Sequence, residues 1–169
     1  MAITDLNVGK ATKDSIAEVS DVLREAAEWM AKHRRPLWVA DKLGPGFVTP
    51  LVERGEVVGA WRSSQIVGVV LLQWSDREFW PDHDDGLAGY LHKIAVRRSE
   101  AGKGVPAAMV NWAGLEAKKN GKSYLRLDCD LHPSLCAIYE RLGFTRIDVF
   151  KASPPDRAPF SVARYQLTI

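Results

Sequence analysis

Apolar residues recur along the chain at helical spacing in some segments and as short continuous runs in others. The helical spacing begins after Ser15 and predicts a helix to about residue 33, with a capping box formed by Ser15 and Glu18. A short apolar start that includes Ile3 precedes this helix. The amino-terminal part is therefore predicted to hold a long helix with one apolar face.

Prolines and glycines predict where the other helices begin and end. Thr49 and Pro50 mark the start of a second, shorter helix, and Gly55 marks its end. Two later helices are predicted over residues 105–121 and 133–143, each with an apolar stripe and a closing glycine. The chain thus carries about four helices.

Runs rich in β-branched residues predict the strands. "EVVGAWR" and "QIVGVVLLQW" read as a hairpin closed by the turn at Ser63 and Ser64. Further strands are predicted in "AGYLHKIAV", "SYLRLDC", "FTRIDVFK" and "VARYQLTI". With the apolar start, the pattern predicts an α+β or α/β (three-layer) domain with about seven strands and four helices.

Length, composition and charge narrow the class of protein. The 169 residues, 46% of them apolar, predict one domain over residues 1–169. The 23 basic and 21 acidic residues leave a net charge of +2 without a long run of either sign, which argues against a nucleic-acid partner. The longest apolar run, residues 66–72, is too short to span a membrane and no leader pattern opens the chain, so we expect a cytoplasmic protein without a membrane partner.

Cysteines and histidines give little sign of metal or disulfide chemistry. Cys129 and Cys136 form no CxxC pair, which predicts two reduced and largely buried thiols. The four histidines are scattered over different predicted elements without ligand spacing. We therefore expect no metal.

A glycine loop in "VRRSEAGKGVPAAMVNW", residues 96–112, is the main chemical signal. A loop that leaves a strand and enters a helix exposes unpaired amides at the positive end of the helix dipole, where phosphate binds. Gly102 and Gly104 let phosphate approach, and Arg97, Arg98 and Lys103 add positive charge. The alternative is a loop that needs glycine only for its backbone dihedrals.

Three phosphate-binding patterns are candidates for this loop. A P-loop is excluded, because Lys103 precedes Gly104 and no Ser or Thr follows. "GKGVPA" fits the letters of a dinucleotide fingerprint, but five residues separate the strand from the first glycine and too little chain follows for a Rossmann domain. The segment "IAVRRSEAGKGVP" instead resembles the signature of the GNAT acetyltransferase superfamily.

A second segment supports the same resemblance. "HPSLCAIYERLGF", which follows the predicted strand "LRLDCD", is similar to the later motif of the superfamily. Clear similarity covers residues 90–149, and the preceding residues match mainly in the order of their elements. The resemblance implies the GNAT acyl-CoA N-acyltransferase fold, with a mixed, mostly antiparallel sheet.

The resemblance also implies acetyl transfer from acetyl-CoA to an amine, with a small molecule favoured over a protein, by direct transfer in a ternary complex. The residues that it assigns to coenzyme binding are Ile94, Ala95, Val96, Arg97, Arg98, Ala101, Gly102, Lys103, Gly104, Val105, Pro106, His132 and Tyr139. The strand residues among them would align the pantetheine arm through their backbone. Residues 34–47 and 152–160 would shape the acceptor pocket, and such domains often form homodimers.

Two residues are candidates for catalysis: the resemblance implies the first, and the second follows from its position on a predicted strand. Tyr139 matches the general acid of the superfamily, although its position on an apolar stripe also suits a core tyrosine. His92 is a candidate base, and strand alternation would place it on the same face as Ile94. Asp128 is a weaker base candidate. The acidic and aromatic loop over residues 75–85 would attract a cationic acceptor, or be a solvated loop anchored by its aromatic rings.

Departures from the superfamily pattern affect the loop. Ala101 stands where Arg or Gln is usual, and Pro106 replaces a small residue and has no amide hydrogen. His132 replaces the common asparagine. The amides of Gly102, Lys103, Gly104 and Val105 remain, so we expect weakened coenzyme binding. These departures motivate an alternative, a non-catalytic acyl-CoA-binding or interaction module of the same fold.

Overall fold

The computed structural model describes residues 5–169 and divides into two compact units. The first contains the residues up to Leu72 together with Lys93–Trp112, and the second contains Gln73–His92 and Ala113–Ile169. Ile3, part of the predicted apolar start, lies outside the described residues.

Seven strands and four α-helices make up the described chain. The strands are β1 (Leu6–Lys10), β2 (Val57–Arg62), β3 (Gln65–Gln73), β4 (Ala88–Val96), β5 (Tyr124–Asp130), β6 (Thr145–Ala152) and β7 (Phe160–Thr168). The helices are α1 (Ile16–Lys32), α2 (Pro45–Glu53), α3 (Val105–Lys119) and α4 (Pro133–Arg141). The fold class and the element order are those that the sequence predicts.

The strands form one mixed sheet in the order β1-β2-β3-β4-β5-β7-β6. β4 pairs with β5 in parallel, whereas β1 with β2, β2 with β3, β5 with β7 and β6 with β7 are antiparallel. The mostly antiparallel sheet is confirmed.

The apolar face of α1 builds the core of the first unit. Val19, Val22 and Leu23 are fully buried and pack in one cluster with Val48 of α2 and Val69 of β3. This burial, rather than helix propensity, holds the two helices in place.

The first helix begins directly after Ser15, as predicted, but its predicted capping box does not form, and the start of the second helix differs from the prediction. The Ser15 side chain makes no capping hydrogen bond, and the carboxylate of Glu18 instead accepts from the amide of Ile66 at 3.0 Å. The second helix begins at Pro45 rather than at Thr49. Proline suits a first turn because its missing N–H has no helical partner there, and of the two prolines Pro45 takes that place while Pro50 lies inside the helix.

Two buried arginines anchor the loop of residues 75–85 within the second unit. Arg164 donates to both carboxylate oxygens of Asp82 at 2.6 and 3.0 Å, and Arg126 does the same with Asp85 at 3.0 Å each. Both guanidinium groups lie over the fully buried ring of Trp80, at 4.7 and 5.4 Å from its centre. The aromatic part of this loop is therefore an anchor, as one of the two interpretations predicts.

Over residues 5–169, no helix has both the length and the apolar character that a membrane crossing requires.

Candidate active site

The carboxyl half of β4 lies beyond the parallel register with β5 and contains a residue with a positive φ. Parallel pairing with β5 joins Ala88–Tyr90 to Tyr124–Arg126, and both strands continue beyond this register, β4 to Val96 and β5 to Asp130. Lys93, inside β4, has a φ of 50°, in the left-handed region that non-glycine residues rarely adopt. The regular alternation that would place His92 and Ile94 on one face is interrupted at this residue.

Lys93 itself was missed by sequence reasoning. Its Nζ lies 4.9 Å from the ring centre of Trp38 and 5.9 Å from that of Phe47, both on the segment of residues 34–47. A lysine between a histidine and an isoleucine in a strand carries no signal of a positive φ, so the letters alone do not reveal this arrangement.

The glycine loop has the shape that phosphate binding requires. After a short 3-10 turn, Gly102 and Gly104 adopt φ values of 75° and 79°, and α3 begins at Val105. A Cβ added to either glycine would meet no atom within 4 Å outside its own neighbours. The glycines are thus needed for their left-handed backbone, and the space beside them is open.

Not every predicted amide of the loop points outward. The amide of Lys103 donates to the carbonyl of Glu100 at 3.2 Å, and that of Ala101 donates to the carbonyl of Arg98 at 3.2 Å. Pro106 occupies the second position of α3, where its lack of N–H removes a further donor. The predicted set of four donors is therefore reduced by the Lys103 amide.

The basic side chains of the loop are paired with protein groups of the first unit. Arg97 donates to Glu25 at 2.8 Å and to the carbonyl of Ile66 at 2.9 Å. The guanidinium of Arg98 stacks 4.1 Å from the ring centre of Trp29. Arg97 thereby ties the end of β4 to α1.

Glu100 is the buried acid of this loop. It accepts from Arg62 at 2.9 Å and from Lys103 at 3.2 Å. Burial acts to raise the pKa of Glu100, but the two hydrogen bonds outweigh it and hold that pKa below its ordinary value. Glu100 therefore stays charged, and its single negative charge offsets only part of the positive charge of Arg62 and Lys103.

His132 caps helix α4 in the second unit. Its Nδ1 accepts from the amide of Ser134 at 3.2 Å, and its ring stands at the N-cap position. The histidine thus takes the capping role open to an asparagine at this position.

Tyr139 lies on α4, half-buried, with its ring against Phe144 and Tyr165 at centroid distances of 6.4 and 6.1 Å. Burial raises the pKa of its phenol well above the ordinary value, and the neighbouring Cys129 and Asp128 act in the same direction. The hydroxyl therefore remains protonated near neutral pH and can donate a hydrogen bond.

Three titratable side chains of the second unit meet in one cluster. The ligand atoms of Asp76, His92 and Asp128 all lie within 4.8 Å of one another. Asp76 is 7% exposed, and its Oδ1 accepts from the amides of Glu78 and Phe79 at 3.1 and 2.9 Å. Its Oδ2 is 3.6 Å from Nε2 of His92. The sequence marks His92 and Asp128 as base candidates and places Asp76 in the acidic loop, but no spacing shows that the three side chains converge.

The chemistry open to this cluster is proton transfer or cation binding. An imidazole accepts a proton near neutral pH, and carboxylates favour a nearby positive charge. Carboxylate oxygens and an imidazole nitrogen are also common ligands of divalent cations. The scatter of the histidines along the sequence therefore does not by itself exclude a metal site. Cys129 and Cys136 are buried free thiols, as predicted.

The family follows from a direct match. The model of the acetyltransferase (GNAT) domain family covers residues 53–146, more than half of the chain. The chain therefore belongs to the GNAT family of acetyltransferases. The uncharacterized N-acetyltransferase YesJ of Bacillus subtilis is 28% identical over an alignment of 142 residues, which covers 79% of this chain and 78% of that protein.

Solved structures agree on the fold. A GNAT-family acetyltransferase from Listeria monocytogenes matches with a TM-score of 0.75 at 20% identity, over 97% of this chain and 95% of that one. The PaiA N-acetyltransferase of Thermoplasma acidophilum, solved in complex with coenzyme A, matches with a TM-score of 0.74 at 16% identity over 100% of both chains.

Proposed function

We propose that this chain is a single GNAT domain that transfers an acetyl group from acetyl-CoA to a primary amine, with a small molecule as acceptor. The observation that carries the proposal is the pair of left-handed glycines, Gly102 and Gly104, which open onto free space where α3 begins. The coenzyme A complex of the Thermoplasma relative supports the choice of cosubstrate.

In the proposed reaction, the amine attacks the thioester carbonyl directly. An alkylammonium of pKa about 10.4 must first lose a proton, at a cost of about 4.6 kcal/mol at pH 7, and His92 accepts it. The amine lone pair then forms the C–N bond while the C–S bond breaks. The amide of Ile94 polarises the carbonyl oxygen as a single oxyanion donor.

Tyr139 serves the leaving thiolate as a hydrogen-bond donor. Full proton transfer from a phenol of pKa near 10 to a thiolate of pKa about 8.5 is uphill by about 2 kcal/mol. The raised pKa of Tyr139 makes complete transfer less favourable still, so stabilisation by a hydrogen bond is its proposed role.

A second candidate function is an acyl-CoA-binding module without turnover. Ala101, Pro106 and the engaged amide of Lys103 favour it, because each reduces the contacts available to a pyrophosphate. A coenzyme held loosely at this end positions its thioester poorly.

Thiol release tests the proposal. Free coenzyme A thiol would be measured with acetyl-CoA and panels of alkylamines, polyamines, amino acids, aminoglycosides and peptides. We expect release that depends on one small-molecule class. A flat panel together with tight acetyl-CoA binding would favour the binding module, and absence of acetyl-CoA binding would contradict both functions.

Substitution Tyr139→Phe tests the donor role. We expect turnover to fall by about a hundredfold, in the range of a lost general acid, while coenzyme A affinity by calorimetry stays unchanged. Tyr165→Phe is the matched control, since the Tyr165 hydroxyl donates to Glu140 at 3.0 Å and takes no part in the proposed step. Equal turnover in the two variants would remove Tyr139 from the mechanism.

A further inference from the structure

We propose that Asp76, His92 and Asp128 form a binding site for the ammonium group of the acceptor, so that the substrate class is cationic alkylamines. This inference rests on the proposed function and adds to it the group that the enzyme recognises. All three residues belong to the second unit, and their ligand atoms lie within 4.8 Å of one another.

The buried carboxylate of Asp76 is the first argument. Only 7% of this residue is exposed, and its Oδ2 has no hydrogen-bond partner among the described residues, whereas Oδ1 is satisfied by two amides. A buried carboxylate oxygen without a donor is costly, and proteins keep such groups where a ligand supplies the donor. The orphan oxygen points into the cluster, 3.6 Å from His92.

The geometry suits a small donor with several hydrogens. The separation of 3.6 Å between Oδ2 of Asp76 and Nε2 of His92 exceeds an ordinary hydrogen bond, so the histidine does not satisfy this oxygen. An alkylammonium carries three N–H donors and one positive charge. It can donate to Asp76 and Asp128 while its third hydrogen faces the imidazole.

Three of the other four acids of the 75–85 loop are bound by arginines. Asp82 and Asp85 are bound by Arg164 and Arg126, and Asp84 accepts from Arg77 at 3.1 Å. Their charge is largely neutralised within the second unit. Glu78, the remaining acid, is exposed. We therefore assign recognition of the cation to the buried carboxylate of Asp76, whereas the sequence suggested the acidity of the whole loop.

The site joins binding to deprotonation. The bound ammonium passes one proton to the neutral imidazole of His92, which leaves a neutral amine with its lone pair and an imidazolium beside two carboxylates. No other reactant is needed for this step. Asp76 and Asp128 thus bind the cation first and then stabilise the charge on His92.

The test measures ammonium binding without acetyl-CoA. 1-Butylammonium chloride would be titrated into the full chain while the imidazole nitrogen signals of His92 are followed by NMR, with sodium chloride and neutral 1-butanol as reference ligands. Asp76→Asn keeps an oxygen for the two amides and removes the charge. Glu78→Gln is the control, since it removes an exposed charge from the same loop.

Among the three ligands, we expect only butylammonium to give saturable shifts of the His92 NMR signals. Asp76→Asn should weaken the affinity for butylammonium about tenfold or more, because it removes a charge-assisted hydrogen bond. Glu78→Gln should bind as the parent chain does. Asp128→Asn, a change on another element, should also weaken binding and covers the case in which the Asp76 variant fails to fold.

Three results would overturn the inference. They are equal shifts with butanol, equal weakening by Glu78→Gln, or tight stoichiometric binding of Zn²⁺ at these residues that butylammonium does not compete with. Because the titration contains no acetyl-CoA, a protein that binds butylammonium but never releases thiol would refute the proposed function and leave this site standing.

Discussion

His132 shows how one side chain can replace another in a structural role. Its Nδ1 accepts from the amide of Ser134 at 3.2 Å, so the ring acts as an N-cap for α4. A cap satisfies one of the amides that the helix leaves unpaired. The cap holds the start of the helix that carries Tyr139.

Substitution at this position separates capping from other roles. We expect His132→Ala to lower the free energy of unfolding by about 1 kcal/mol, and His132→Asn to restore it, because asparagine is a favoured cap. Urea denaturation of the two variants measures both values. If the alanine variant were as stable as the parent chain, the cap would not contribute.

At the scale of elements, the loop before α3 offers a test of what its glycines are for. A Cβ at Gly104 would enter open space, and its φ of 79° is one that asparagine tolerates better than other non-glycine residues. We expect Gly104→Asn to keep its stability within about 1 kcal/mol and to weaken coenzyme A binding at least tenfold, because the side chain occupies the phosphate space.

Calorimetry with coenzyme A and thermal unfolding would be run on the same preparations. Gly121→Asn, at a φ of 71° beyond the end of α3, is the matched control for left-handed strain. Unchanged coenzyme affinity in the Gly104 variant would mean that the loop needs glycine only for its dihedrals.

The elements were largely predictable because burial imposes a period on the sequence. β4 coincides with the predicted strand, and α1 and α4 end within about two residues of their predicted ends. The capping contacts of α1 were not predictable. Glu18 fits a capping box by spacing, but its carboxylate instead accepts a hydrogen bond from a distant strand amide, that of Ile66. Such a competitor is invisible to local patterns.

Only those parts of the candidate site that lie in one continuous sequence motif could be proposed from the sequence. The glycine loop and Tyr139 are of this kind, because each stands within a motif. The convergence of Asp76, His92 and Asp128 depends on how a loop and two strands approach one another, and the left-handed Lys93 depends on a local break in β4. Neither has a sequence period.

At the largest scale described, the second unit depends on carboxylates that must stay charged. Hydrogen bonds from Arg164 hold the pKa of Asp82 and of Asp148 below the ordinary value, and those from Arg126 do the same for Asp85, each against a smaller effect of burial. A lowered folded pKa means stability that is complete above the unfolded value, near pH 4, and is lost as the pH falls below it.

We therefore expect the free energy of unfolding to fall as the pH is lowered from about 4 toward 2, with a modest size because these side chains are partly exposed and screened by water. Asp148→Asn should flatten that dependence, and Asp156→Asn, an exposed control, should not. Urea denaturation at a series of pH values checks this. An unchanged slope in the Asp148 variant would show that the arginine pairs do not set acid stability.

The pairing of Arg97 and Lys103 with Glu25 and Glu100 bears on how a coenzyme finds its loop. The two carboxylates offset only part of the charge of Arg62, Arg97, Arg98 and Lys103. The positive charge that remains attracts a polyphosphate, so association should slow as the ionic strength rises. Free nucleotides of similar charge would share this attraction. Discrimination would instead depend on contacts made at van der Waals range, after the ligand has arrived.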